Sequence, residues 1–192
     1  MDRSALDSQV AAAVEVLKRG GIILYPTDTV WGIGCDATNA AAVERIYALK
    51  QSGDKKSMLI LAENEDRLML NIQKMPEVGW QLLEVADKPL TLILDGGCGV
   101  AENLLPEEKT IGIRIPKHEF CKALLHRLRR PLVSTSANIS TKPTPKNFTE
   151  IDPQIIEGVD LVIDPIFEGN PTRKASSIIR LSLNGTIEII RE

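Results

Sequence analysis

The apolar stretches of this chain are short. Residues 22–25 (IILY), 58–62 (MLILA) and 90–94 (LTLIL) are four or five long, and each is bounded by proline, glycine, serine or charge. Runs of that length fall far below the ~20 apolar residues that a membrane-spanning helix needs. They fit buried β-strands instead. Between them, apolar residues recur every three or four positions. Leu6, Val10, Ala13, Val14 and Leu17 mark a helix over residues 4–18, ended by Gly20 and Gly21. Val43, Ile46, Tyr47 and Lys50 mark another over 40–50.

Further along, 64–74 and 77–86 read as polar helices separated around Pro76, and 118–130 (HEFCKALLHRLRR) as an amphipathic one. TIGIRI (110–115) alternates as a strand does, and PLVSTSAN (131–138) runs from strand into polar loop. DLVIDP, SSIIRLS and GTIEIIRE finish the chain as short strands. Residues 27–39 (TDTVWGIGCDATN) and STKPTPKN read as loops. Strands alternate with helices and then dominate, which predicts a single α/β domain over 1–192 with a twisted mixed sheet and flanking helices.

The balance of 23 Lys+Arg against 26 Asp+Glu gives a net charge of −3, so the chain as a whole is not a basic nucleic-acid binder. Aromatic residues make up 4%, too few for base-stacking platforms. The charge is uneven, however. Residues 114–146 hold eight basic residues and one acid, Glu119, a net +7, leaving fifteen basic and twenty-five acidic residues elsewhere. A local positive patch of this kind attracts polyanions such as ATP or RNA. The N-terminal stretch carries acids and lacks the apolar core of a secretory signal, which predicts a cytoplasmic protein. Cys35, Cys98 and Cys121 have neither metal nor redox spacing and read as small buried or half-buried thiols in a reducing compartment.

Several familiar chemistries drop out. Gly32-Ile33-Gly34-Cys35-Asp36-Ala37 matches the letters of a dinucleotide-binding fingerprint. That fingerprint needs its first glycine immediately after a strand, whereas six residues here separate it from Tyr25, so these read as turn glycines. There is no GxxxxGK[ST] phosphate loop and no GxSxG nucleophile elbow. His118 and His126 share one helix without carboxylate or cysteine in ligand spacing, so no metal site is expected.

Three segments remain. In PTDTVWG, Thr27, Asp28 and Thr29 follow a strand's carboxyl end, where open α/β sheets place ligands. In VSTSANIS, Ser134, Thr135, Ser136, Asn138 and Ser140 supply hydroxyl and amide groups suited to phosphate. The third is basic: Lys50, Lys55 and Lys56 near a helix end, and Arg114 interrupting an apolar strand. An inward-facing arginine must be paired with a carboxylate or a ligand anion. Ser176 and Ser177 open a late strand.

IILYPTDTVWGIGCDA, the helix ending at Lys50, LTLIL, TIGIRIP, PLVSTSANIS and SSIIRL followed by EIIRE occur here in the order in which they occur in the YrdC-type threonylcarbamoyl-AMP synthases, which the chain resembles over about residues 8–191. The resemblance implies the short, single-domain form of that family, a catalytic domain folded around a concave, positively charged cavity. It implies an L-threonylcarbamoyladenylate synthase, a nucleotidyltransferase joining L-threonine, bicarbonate and ATP into threonylcarbamoyl-AMP and pyrophosphate. Partner proteins then transfer the group to tRNA as threonylcarbamoyladenosine. The alternative is a non-catalytic, RNA-binding relative of the same fold. Carried over by position, Thr29, Arg114, Ser134 and Ser176 match threonine-binding positions. Lys50, Ser52, Lys56, Thr110, Ser136, Asn138, Thr144 and Arg191 match positions around ATP, and Lys50, Arg114, Ser136 and Asn138 are the expected catalytic set. Magnesium is expected on the ATP phosphates. The segment after Lys50 departs from the family's KxRP: Ser52 stands where arginine is expected, and Lys55 or Lys56 is the candidate replacement. Trp31 stands where the family usually has tyrosine.

Overall fold

The computed structural model describes residues 2–51 and 58–192. Nine strands form one mixed sheet in the order β7–β1–β2–β6–β3–β5–β4–β8–β9. They are β1 (Ile23–Tyr25), β2 (Gly32–Gly34), β3 (Leu59–Leu61), β4 (Leu90–Leu94), β5 (Ile111–Arg114), β6 (Leu132–Ser136), β7 (Leu161–Val162), β8 (Ser177–Leu181) and β9 (Ile187–Arg191). The helices are α1 (Arg3–Lys18), α2 (Ala40–Lys50), α3 (Glu65–Met69), α4 (Glu77–Val85), α5 (Glu119–Leu128) and α6 (Pro153–Gly158). β6 pairs antiparallel with β2 on one side and with β3 on the other.

Strand side chains alternate between the two faces, and here the faces have different fates. One carries Leu24, Ile33, Ile60, Val133, Leu92, Leu94, Ile111 and Ile113 into the larger apolar core, together with Val43 and Ile46 of α2. The opposite face carries Ile23, Tyr25, Leu61 and Leu132 against Val10, Val14 and Leu17 of α1 and Phe120, Leu124 and Leu128 of α5. α1 and α5 also pack on each other. These two helices do not cover that whole face. Past Leu132, β6 presents Ser134 and Ser136, and β4 presents Thr91, where the face opens onto a cavity. The change from apolar to hydroxyl along one strand face marks where the helical cover stops.

Two expectations are corrected. The 27–39 loop contains a strand, β2, so Gly32 and Gly34 are strand glycines rather than turn glycines. Glycine is scarce in strands, which hid this one. A Cβ on Gly34 would lie 2.5 Å from the Val133 carbonyl and 2.8 Å from the Tyr25 ring, so only glycine allows this approach. The 64–74 helix stops at Met69, because Asn71 turns to accept the Cys98 amide through its carbonyl and Ile72 bridges to Gly97. Short α6, begun by Asp152 and Pro153, is an additional helix after the proline-containing loop. No helix among the described residues is long and apolar enough to cross a membrane.

Candidate active site

The exposed part of the sheet face forms the floor of a cavity of about 420 Å³, within the usual range of small-molecule sites. The PTDTV loop after β1 forms one wall. Thr27 and Thr29 share a hydroxyl contact of 2.9 Å, and Thr27 Oγ1 donates to the Val30 carbonyl at 2.7 Å. The Thr172 and Arg173 amides bond the Asp28 and Thr29 carbonyls at 3.0 and 2.9 Å, clasping the loop from outside.

Arg114 ends β5 and is 3% exposed. The Asp28 carboxylate pairs with one of its terminal nitrogens and also accepts the Lys117 amide at 3.0 Å. The Arg114 Nε–H is buried without a hydrogen-bond partner. Arg114 thus faces the cavity as a guanidinium already oriented, with donor capacity in reserve.

The hydroxyls are oriented by neighbours. Tyr25 OH donates to Ser134 Oγ at 2.8 Å. Burial pushes the Tyr25 phenol far above its ordinary range, so it stays a donor. Thr91 Oγ1 and Ser176 Oγ lie 2.7 Å apart, and the Ser176 carbonyl accepts Arg191 Nε–H at 2.8 Å. The placement of Arg191 depends on a β-bulge. In β8–β9, Leu181 faces Ile187 and Ile179 faces Ile189, but the register then shifts so that Ile178 faces Arg191. Bulges re-aim side chains in this way. The shift places Arg191 beside Ile178 on the cavity face, away from Ile179 and Leu181 on the core face.

Eight of the residues matched by resemblance to threonine and ATP positions line this one cavity: Thr29, Arg114, Ser134 and Ser176, with Thr110, Ser136, Thr144 and Arg191; Thr27 and Thr135, singled out from their segments, line it as well. Lys50 and Asn138 are placed differently, behind the lining. Lys50 is 2% exposed, and its ammonium donates to the carbonyls of Ser136 and Asn138 at 2.6 and 2.7 Å. Burial lowers its pKa to about 8. Asn138 Oδ1 accepts the Ser136 hydroxyl at 2.5 Å, while its amide donates to the Ile139 and Lys142 carbonyls. Together they shape the loop that presents Ser136. Ser52, Lys55 and Lys56 lie outside the described residues.

The basic segment does not supply the cavity's charge as a block. Of its eight cations only Arg114 lines the cavity. Arg130 pairs with Asp36, Lys142 pairs with Asp152, and Lys117 Nζ donates to the Ala86 carbonyl. The charged lining residues are Arg114, Arg180 and Arg191, with Glu108 as the acid. Thr91 and Arg180 were missed from the sequence. Each is a polar residue inside an apolar strand, the signal that singled out Arg114.

No group of three or more His, Cys, Asp or Glu able to hold a metal occurs among the described residues. His118 stands at the start of α5 without a side-chain cap bond and its Nε2 lies 3.2 Å from the Glu168 carbonyl, and His126 pairs with Glu63 at 2.8 Å. Cys35 and Cys121 are buried and Cys98 half-buried. Burial pushes the Cys35 thiol up to about 12 and raises Cys121 as well, so both stay protonated.

The model of the Sua5/YciO/YrdC family, described as telomere recombination, matches residues 15–192. A threonylcarbamoyl-AMP synthase of Pseudoalteromonas translucida is 32% identical over 183 residues, covering 94% of this chain and 96% of that protein. Among solved structures, E. coli YciO superposes with a TM-score of 0.81 at 28% identity, covering 97% of this chain and 89% of that one. P. abyssi Sua5 complexed with L-threonine gives a TM-score of 0.83 at 26% identity over 91% of this chain. This chain spans about half the length of that Sua5, 51%.

Proposed function

Since the chain belongs to the Sua5/YciO/YrdC family, we propose that it is an L-threonylcarbamoyladenylate synthase, a nucleotidyltransferase that converts L-threonine, bicarbonate and ATP to threonylcarbamoyl-AMP and pyrophosphate. The observation that carries this reading is the convergence of Thr29, Arg114, Ser134 and Ser176 with Thr110, Ser136, Thr144 and Arg191 on one cavity.

The chemistry needs two anions to meet. The threonine amine takes up the carbon of bicarbonate with loss of water, giving a carbamate. A carbamate oxygen then attacks the α-phosphorus of ATP, and pyrophosphate leaves with the bond electrons. Arg114, braced by Asp28, is a planar fork matched to the threonine carboxylate. Because Tyr25 donates to Ser134, the serine's own proton is free for the ligand. Thr91 and Ser176 hold each other through a buried hydroxyl contact of 2.7 Å. Donors fixed before the substrates arrive need no reorganisation as charge moves in the transition state. A cavity rich in hydroxyls and arginines, with Glu108 its lining carboxylate, suits a magnesium ion that arrives on the ATP phosphates as part of the substrate.

In this reading the product serves partner proteins that modify tRNA, and the reaction is cytoplasmic. The test is pyrophosphate release from MgATP, expected to require both L-threonine and bicarbonate. Release at the same rate without threonine overturns the reading. Ser52 in place of an arginine favours a second reading, a non-catalytic RNA-binding relative. That reading predicts salt-sensitive RNA binding with no adenylate formed.

A further inference from the structure

Arg180 is the cavity cation without a task so far. Along β8, Ser176, Ile178 and Arg180 fall on the cavity face, while Ile179 and Leu181 turn into the core. Among the described residues no hydrogen bond or ion pair holds the Arg180 guanidinium, although Glu188 stands directly opposite it in the β8–β9 ladder. The other two cavity arginines are engaged, Arg114 by Asp28 and Arg191 by the Ser176 carbonyl. Arg191 faces Ile178, two residues before Arg180. The two guanidiniums are therefore diagonal neighbours on adjacent strands, within reach of one anion. Like charges so placed repel unless an anion lies between them.

The proposed reaction brings such an anion. A nucleoside triphosphate carries most of the negative charge entering the cavity. Of the cations expected at the nucleotide, Lys50 donates to backbone carbonyls behind the lining, and Lys55 and Lys56 lie outside the described residues; the arginine expected by resemblance is Ser52. We infer that Arg180, paired with Arg191, binds the β- and γ-phosphates of the nucleotide. This rests on the proposed synthase reading and names the group that holds the leaving pyrophosphate.

Calorimetric titration of the intact chain with MgATP, pyrophosphate, AMP and L-threonine tests it. Arg180→Ala should weaken MgATP and pyrophosphate about tenfold to a hundredfold, as loss of a charge-assisted contact does. AMP, which lacks the β- and γ-phosphates, should bind as before, and so should threonine. Arg180→Lys should recover part of the loss, since it keeps the charge without the fork. Unchanged MgATP affinity in Arg180→Ala overturns the inference, as does an equal loss for AMP, which would make the effect structural. A wild-type chain that binds no MgATP overturns the synthase reading itself, and this inference with it. Wild-type turnover that persists with full MgATP affinity in Arg180→Ala overturns this inference alone.

Discussion

Tyr25 and Ser134 stand 109 positions apart in sequence and share a buried hydrogen bond of 2.8 Å in which the phenol donates. They belong to different strands, and β2 lies between them with glycine facing both. A Cβ on Gly32 would meet Ser134 Oγ at 3.3 Å and the Tyr25 ring at 3.4 Å. The absence of a side chain in β2 is what lets the phenol reach the serine. Burial keeps Tyr25 protonated, so the direction of the bond is fixed and Ser134 is left with a proton to give.

Tyr25→Phe keeps the ring in the core and removes only the donor. It should leave the fold intact and cost about 1–3 kcal/mol of stability, because a buried hydroxyl loses its partner. The Ser134 proton is then no longer directed, so KM for threonine should rise several-fold while KM for ATP holds. Steady-state kinetics with each substrate varied separately, beside a thermal melt, checks both. A threonine KM equal to wild type would show that Ser134 is oriented without Tyr25.

The Arg114–Asp28 pair makes a sharper demand. Both partners are nearly out of water, with side chains 4% and 11% exposed. Breaking a buried pair from one side leaves an uncompensated charge and costs about 3–5 kcal/mol. Asp28→Asn should therefore lower the melting temperature markedly and weaken threonine binding. Arg114→Lys keeps the charge but cannot hold Asp28 and a substrate carboxylate at once, so threonine affinity should fall about tenfold or more. Calorimetric titration with threonine is the measurement, and unchanged affinity in Arg114→Lys would move the carboxylate elsewhere.

Arg114 was legible in the sequence because a charge inside IGIRI has to face a partner or a ligand. Ser134 and Ser136 were legible because hydroxyl and amide groups crowd the carboxyl end of the PLVSTSAN strand, a composition suited to phosphate. The same reasoning reached neither Thr91 in LTLIL nor Arg180 in SIIRL, whose facing depends on register against neighbouring strands. β2 was hidden by its glycines, and the inward turn of Arg191 by a bulge that side-chain alternation does not announce. The position of Lys50 depended on the fold of the 136–140 loop: its place on the buried face of α2 was readable, its acceptors were not.

Lys50 yields a prediction in pH. Its pKa falls from 10.5 to about 8 in the folded chain, through burial. Between those values the unfolded chain holds a proton that the folded chain has released, so this group's contribution to stability rises with pH across that window. The neutral amine still carries two N–H donors for its two carbonyls. Wild type should therefore gain stability relative to Lys50→Met as pH rises from about 8 to 10.5. At pH 7 the variant should lose about 1–3 kcal/mol, since the Asn138 carbonyl loses its donor. Denaturant unfolding at several pH values reads this difference, and a pH-independent gap would show that Lys50 titrates normally.

Gly32 and Gly34 separate packing from function within one three-residue strand. Alanine at 34 would put its methyl 2.5 Å from the Val133 carbonyl, a backbone atom of β6 in the residue whose amide donates to the Cys35 carbonyl. Nothing there can yield cheaply, so Gly34→Ala should cost about 3 kcal/mol or fail to fold. Alanine at 32 comes nearest to Ser134 Oγ and the Tyr25 ring, at 3.3 and 3.4 Å, distances that a shift of a few tenths of an ångström relieves. Its methyl would instead project at the cavity wall beside the hydroxyl assigned to threonine. Gly32→Ala should therefore fold with stability within about 1 kcal/mol of wild type and lose threonine affinity, seen as a raised KM at near-normal melting temperature. If both variants unfold alike, Gly32 is a packing residue, and the cavity wall beside Ser134 does not touch the substrate.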